Sequence, residues 1–380
     1  MNGSLIAFTG TKRQYKNLRS ELLETADQVW SSGRHLDGAY TLMLEEALAF
    51  RCKRKYAVAV NSGTQALIFA IRALKLPYKS RIMVPAVSFV ATLNCVYETG
   101  HKPYIVDTDL HGLMDLASLP DQLGVYQTNA LMPVNLYGNM VDYDKINLLT
   151  KFFGNIDSLP IIEDAAQSLG ASYNDMPSGS FGDVSCLSFD PMKNLNNYGS
   201  GGMLLTDNEE VFLNAMSLRD NGKTSRHVLS GTNSKLSELD AASLLVKLHH
   251  FDAWQARRTE IATYFQERLR PYVRVLEIED NVTCAWHKFP IFLFHRDSLA
   301  DHLKEQGIET KVHYTTPLAD YPLYSSAASN IFNPEYADYD GFASEAGRNL
   351  CQQTLSLPIY PELTDPEVEY IVNSVIEFFK

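Results

Sequence analysis

The sequence predicts an α/β protein, with a mainly parallel sheet in a large N-terminal domain and a smaller α+β domain behind it. Three observations predict it. Short runs rich in Val, Ile, Leu and Met recur through roughly the first 250 residues, several nearly continuous in apolar residues, as in strands buried on both faces. Helical periodicity fills several of the intervals between them. Past Ser237 the alternation gives way to one long helical stretch and then a different order of elements.

The candidate strands are Tyr56–Val60, Arg81–Val84, Lys102–Asp107, Asn129–Leu136, Leu159–Asp164, Val184–Phe189 and Gly202–Thr206. Between the first two, Gln65–Leu74 places apolar residues at 67, 70, 71 and 74, one face of a helix. Ser237-Glu238-Leu239-Asp240 resembles a capping box, so a helix is expected from Asp240 to about Leu269. A strand over Ala285–Phe294, a helix over Ser298–Gln306 and a strand over Glu309–Tyr314 follow. The closing helix starts at Thr364-Asp365-Pro366-Glu367, with Val368, Ile371, Val372, Val375, Ile376 and Phe379 as its apolar stripe. The chain of 380 residues exceeds the usual size of one core, and the expected division is 1–250 and 251–380.

Composition excludes several classes. The net charge is −12 and no block of Lys or Arg stands out, which argues against a nucleic-acid backbone as partner. The cysteines Cys52, Cys95, Cys186, Cys284 and Cys351 are odd in number and lie far apart, without a Cys-x-x-Cys pair. That spacing argues against a disulfide framework or a structural zinc site. No apolar run approaches membrane-spanning length and the start lacks a secretory pattern, so a cytoplasmic protein without a membrane partner is expected.

The chemistry centres on Lys193, in Ser188-Phe189-Asp190-Pro191-Met192-Lys193-Asn194-Leu195, with glycines at 199, 201 and 202 just behind it. Proline and glycines on either side favour a constrained turn over a solvated lysine. About thirty residues upstream an apolar run ends in Glu163-Asp164, an acid at the end of a strand, where ligands of open α/β sheets gather. Asn61-Ser62-Gly63-Thr64 follows a strand and opens a helix, a place for a phosphate or simply a helix cap. Phe89 follows the strand ending Met83-Val84-Pro85, and it either stacks on a flat ring or packs in the core. An amine, a strand-end carboxylate and a phosphate cradle in this order suggest pyridoxal 5'-phosphate (PLP). Lys193 would hold it as a Schiff base, and Asp164 would keep the pyridine nitrogen protonated.

Other site patterns fail. Gly222-Lys223-Thr224 lacks the earlier glycine of a phosphate-binding loop, because Ser217 stands there, and no G-x-G-x-x-G follows the early strands. Asp107-Thr108-Asp109 is similar to the metal-binding acid pair of nucleotide-sugar glycosyltransferases, with a strand-end turn as its plainer reading. His249 and His250 would point apart on a helix by about 100° and make poor joint ligands.

The chain resembles the DegT/DnrJ/EryC1/StrS family of sugar aminotransferases almost end to end. The matching segments are Asn61–Leu67, Val84–Thr92, Pro133–Gly138, Glu163–Gly170, the lysine segment, Leu218–Gly222, Gly231–Ala242 and Lys311–Tyr314. The resemblance implies the PLP-dependent aspartate-aminotransferase fold (fold type I), with a mainly parallel seven-stranded sheet in the large domain. It makes Lys193 the Schiff-base lysine and proton shuttle, pairs Asp164 with the pyridinium nitrogen, and places Gln167 near the cofactor's phenolic oxygen. Gly63, Thr64 and Ser188 would hold the phosphate, Phe89 would stack on the ring, and His313 and Tyr314 would lie near the substrate. Asn233 would reach the neighbouring subunit's cofactor, which implies a homodimer with composite active sites.

The implied reaction converts a nucleotide-linked keto-sugar to the amino-sugar, with glutamate as donor. Lys235 stands where the family often has Arg, Asn135 where it often has His, and Asn196–Ser200 where many relatives carry an acid. These departures leave the cofactor chemistry intact and bear on substrate identity. A branch of the family replaces the lysine with histidine and acts as a sugar dehydratase, against which Lys193 argues. The remaining alternatives are a non-catalytic regulator on the same fold and a metal-dependent glycosyltransferase using the Asp107–Asp109 pair.

Overall fold

The structure, a computed structural model, describes residues 5–125, 128–153, 159–223, 229–321 and 344–380. Four strands are hydrogen-bonded in the order Tyr56–Val60, Gly202–Thr206, Val184–Ser188 and Ile162–Asp164. Three more are ordered Lys102–Val106, Arg81–Pro85 and Ala130–Leu131. Parallel bridges from Leu131 to Ile161 and from Val134 to Asp164 join the two groups into one surface. Gly202–Thr206 runs antiparallel to both of its neighbours, whereas the pairings of 162–164 with 184–188 and of 81–85 with 102–106 and 130–131 are parallel.

The continuous apolar runs have a direct cause. Ile82 and Val84 enter one core cluster while Met83, between them, enters another. Val58 and Val60 likewise point to a different cluster from Ala57 and Ala59. Alternate residues thus face opposite, equally buried layers, so polar residues have no place in the run.

Expected strands are cut down: Leu159–Asp164 to Ile162–Asp164, Ala285–Phe294 to Phe289–Phe292, and two others further. Only Ala130–Leu131 of Asn129–Leu136 pairs as a strand; Pro133 supplies no N–H to a ladder, and Leu136–Gly138 turns as a 3₁₀ helix with Tyr137 at φ +60°. Of Glu309–Tyr314, one bridge remains, from Lys311 to Ser356, and the chain then leaves the sheet at His313 and Tyr314. The stripe of the closing helix Asp365–Phe378 is buried except at Phe379, which lies past the last turn and is 40% exposed. Its N-terminus carries the expected capping box of Thr364 and Glu367.

A second sheet, antiparallel throughout, is ordered Arg274–Val275, Phe289–Phe292 and Thr354–Leu357. The helix Glu238–Leu269 connects the parts: it begins at Ser237, whose Oγ accepts from Asp240 N, and packs along the helices Thr11–Ser32 and Ala39–Arg51. All five cysteines are buried as free thiols. Among the described residues no helix is long and apolar enough to cross a membrane.

Candidate active site

Lys193 sits in the loop between the strands Val184–Ser188 and Gly202–Thr206. The neck of that loop is closed by Phe189 N donating to Gly201 O at 2.8 Å and Asn197 N donating to Phe189 O at 2.8 Å. Side chains pin its far side. Asn194 Nδ2 donates to Ala285 O at 2.6 Å, and the buried Lys247 Nζ donates to Asn196 O at 2.7 Å. The loop is therefore rigid by hydrogen bonding on both flanks, and the amine is presented from a fixed backbone.

Asp164 ends the strand Ile162–Asp164, two strands from Gly202–Thr206 across Val184–Ser188. Thr92 Oγ1 donates to its Oδ2 at 3.0 Å and Ala166 N to its Oδ1 at 3.2 Å. Ser88 Oγ lies 2.8 Å from Thr92 Oγ1, extending the chain of hydroxyls. Burial pushes the Asp164 carboxyl up from its usual range, opposed by these two donors and by Lys193. Burial pushes the Lys193 amine down, opposed by Asp164 and Asp190. Lys193 keeps some accessible surface because it opens onto a cavity, although protein surrounds it closely.

That cavity measures about 320 Å³ and is lined by Gly63, Thr64, Phe89, Asp164, Gln167, Ser188, Lys193, His313 and Tyr314. The helix Gly63–Ala73 starts on its wall, with Ser62 Oγ accepting from Gln65 N at 3.1 Å. Close approach demands the glycines here. A Cβ on Gly63 would lie 2.7 Å from Ser188 Cβ, and one on Gly202 would lie 2.4 Å from Ser62 O. Gln167 Oε1 accepts from Tyr137 N at 3.1 Å while its Nε2 donates to Tyr314 Oη at 3.3 Å. Phe89 is 52% exposed, so it is not core material; its ring centroid lies 6.4 Å from that of Tyr314. His313 Nδ1 lies 3.0 Å from Ser356 Oγ, and burial with Lys288, Lys311 and Lys193 nearby pushes its pKa down to about 3.

Asn233 is the exception. It is exposed, pairs with Asp220 through an antiparallel bridge, and does not line this cavity. Sequence reasoning in turn gives no role to Thr92, Ser88, His287 or Lys288, all of which line it. The signal for the last two is a pair of basic residues inside the apolar run Cys284–Phe292. The acid pair has other work. Asp107 accepts from Thr108 N, Ser344 Oγ, Ala346 N and Gly347 N, and Asp109 accepts from His111 N and Leu113 N. Both cap turns and helix starts.

The residues present fit PLP. The cavity is of ligand size, and a helix N-terminus, a buried carboxyl and a buried amine all face it. Among the described residues, the Gly63 and Thr64 N–H groups are absent from the protein's own hydrogen bonds, which leaves them for an anion.

A lysine in a pinned loop, with a carboxyl at the carboxyl edge of a mainly parallel sheet, is the arrangement expected of a fold type I PLP-dependent enzyme. The chain belongs to the DegT/DnrJ/EryC1/StrS aminotransferase family, whose model matches residues 16–376. It is 33% identical over 374 residues to a pleiotropic regulatory protein of Geobacillus stearothermophilus, covering 97% of this chain and 96% of the relative. It is also 33% identical over 378 residues to the dTDP-3-amino-3,4,6-trideoxy-alpha-D-glucose transaminase of Streptomyces venezuelae, covering 98% and 96%. The crystal structure of S. venezuelae DesV in complex with a ketimine intermediate superposes with a TM-score of 0.91 at 32% identity, covering 99% of each chain.

Proposed function

We propose that this chain is a PLP-dependent aminotransferase that converts a nucleotide-linked keto-sugar to the corresponding amino-sugar, with glutamate as amino donor. The observation that carries the reading is that Lys193 and Asp164 line one cavity beside a helix start that can take a phosphate. Similarity to a nucleotide-sugar transaminase over nearly the whole chain supports the substrate class.

When bound, PLP supplies an electron sink for a carbanion next to an amino group. The protein's residues do the rest. Ser188, Thr64 and the N–H groups of Gly63 and Thr64 would hold the phosphate, and Phe89, exposed on the cavity wall, would cover the ring. Asp164, fixed by Thr92 and Ala166, retains the proton on the pyridine nitrogen. Lys193 would hold the cofactor through its amine, and that amine would move a proton at the reacting carbon of the substrate. Burial pushes its pKa down from the usual lysine value, in the direction of the unprotonated form a base needs. Gln167, already fixed by Tyr137 and Tyr314, lies within the same wall to hydrogen-bond the phenolic oxygen. His313 and Tyr314 close the cavity on the substrate side.

Asn233, exposed and outside its own subunit's cavity, serves the cofactor of a second copy, so the working unit is a homodimer. The division into a cofactor-binding domain, 1–250, and a small domain, 251–380, belongs to the same proposal. A panel of nucleotide-linked 3-keto and 4-keto sugars with glutamate tests the reaction. Formation of 2-oxoglutarate together with an amino-sugar supports it. A holoenzyme that aminates none of the panel refutes the substrate class.

A further inference from the structure

Lys288 is the most deeply buried cation of the cavity wall that the reaction above does not use. It is 5% exposed and lines the main cavity together with Lys193 and His287. The same three residues also line a small polar recess behind it, where Arg258 and Glu362 lie. Its Nζ stands 5.2 Å from the centroid of the Phe8 ring, and Lys311 Nζ stands 5.4 Å from the same centroid. Phe8 is itself fixed, with its N–H donating to Glu309 Oε2 at 2.8 Å and its ring stacked on His313 at 5.7 Å. Among the described residues neither Lys288 nor Lys311 has a carboxylate in ion-pair contact.

A buried ammonium without an anion is costly, and the face of an aromatic ring returns only part of that cost. Lys193, Arg258 and Lys311 add repulsion to the burial, which drives the Lys288 pKa well below the usual lysine value. An arriving anion reverses that push. We propose that Lys288, supported by Lys311 beside the Phe8 ring, is an anion subsite inside the active cavity that takes a carboxylate of the substrate.

The position favours a carboxylate over a diphosphate. Lys288 shares its wall with Lys193, whose amine has to reach the reacting carbon. In an amino-acid donor the carboxylate is one bond from that carbon, whereas the diphosphate of a nucleotide sugar is separated from it by part of the sugar ring. The inference rests on the aminotransferase reading and assigns this wall to the acid group of the donor or of an acidic sugar.

Calorimetric titration of the PLP-loaded protein tests it, with glutarate as an unreactive dicarboxylate and UDP, UDP-glucose and UDP-glucuronate as comparisons. Lys288→Met is expected to weaken glutarate binding about tenfold or more, Lys288→Arg to recover most of it, and UDP affinity to stay unchanged. Lys311→Met, at an exposed position, is expected to weaken glutarate about threefold and guards against misfolding of the buried variant. If UDP-glucuronate binds more tightly than UDP-glucose only while Lys288 is present, and glutarate does not bind, the subsite holds and its ligand is the sugar acid. Unchanged carboxylate binding in both methionine variants overturns the proposal, as does a loss confined to UDP. The cofactor absorbance of the same samples separates the two readings: a wild-type protein that takes up no PLP refutes the enzyme, not the subsite alone.

Discussion

Thr92 Oγ1 donates to Asp164 Oδ2 at 3.0 Å, so a helix residue from one segment fixes the carboxyl that ends a strand in another. With Ala166 N on the other oxygen, the carboxyl is held at two points. Removing the hydroxyl leaves a buried charge with one donor fewer, a loss of about 1.5–3 kcal/mol for a bond to a charged group. Thr92→Val is therefore expected to raise the Asp164 pKa and weaken its hold on the pyridine proton. The pH titration of cofactor absorbance should shift, and turnover should fall about tenfold or more, with recovery in Thr92→Ser. An unaltered titration would remove Thr92 from this role.

Asp164→Asn keeps the shape of the site and removes its anion. PLP should still bind, because the phosphate cradle and Lys193 are untouched, but most of the rate should vanish with the electron sink. Cofactor content by absorbance and turnover by 2-oxoglutarate release check both halves. Turnover at the wild-type rate would contradict the assignment.

Glu163, the neighbour of Asp164, is fully buried and points into protein. Its oxygens accept from Asn135 Nδ2, Ser178 Oγ, Gly179 N, Phe181 N and Ser185 Oγ. The carboxylate thus gathers the 178–185 loop behind the sheet. Glu163→Gln presents donors to donors, and we expect a loss of about 3 kcal/mol, read from urea unfolding. A shift under about 0.5 kcal/mol would show that the loop holds without it.

Arg13 and Glu367 tie the first long helix to the last, through contacts of 2.7 and 2.5 Å. The Arg13 guanidinium holds the Glu367 carboxyl down at about 2 from an ordinary value of 4.5. A depressed carboxyl stabilises the fold above its unfolded pKa and loses that contribution as pH falls through the folded one. Arg13 is 39% exposed, so screening limits the contribution to about 1 kcal/mol or less. Arg13→Ala should lower the urea midpoint at about pH 7, and the gap from wild type should close as pH falls from 4.5 towards about 2. A gap that widens on acidification would contradict this linkage.

The strands of the large sheet are legible because both faces are buried, which leaves runs such as Tyr56–Val60 and Gly202–Thr206 without polar interruption. Thr364 and Ser237 are legible because caps need a side-chain oxygen at one place. Thr354–Leu357 and Arg274–Val275 are not, since each is short and depends on Phe289–Phe292 for its pairing. Glu309–Tyr314 alternates like a strand yet spends its last residues on the cavity. Within the site, Lys193 and Asp164 announce themselves by flanking turns and strand ends. Thr92 reads as an ordinary helix residue, and Lys288 is hidden in an apolar run, so only the fold reveals what each faces.

Lys193 is, as proposed, the amine that carries the cofactor. Borohydride reduction of the yellow holoprotein, followed by peptide mapping, tests it most directly, with Lys193→Ala as the control. We expect a phosphopyridoxyl group on Lys193, and a Lys193→Ala protein that folds, carries no such adduct and turns over no substrate. A label on Lys247, Lys288 or Lys311 instead, or transamination at the wild-type rate by Lys193→Ala, would contradict it.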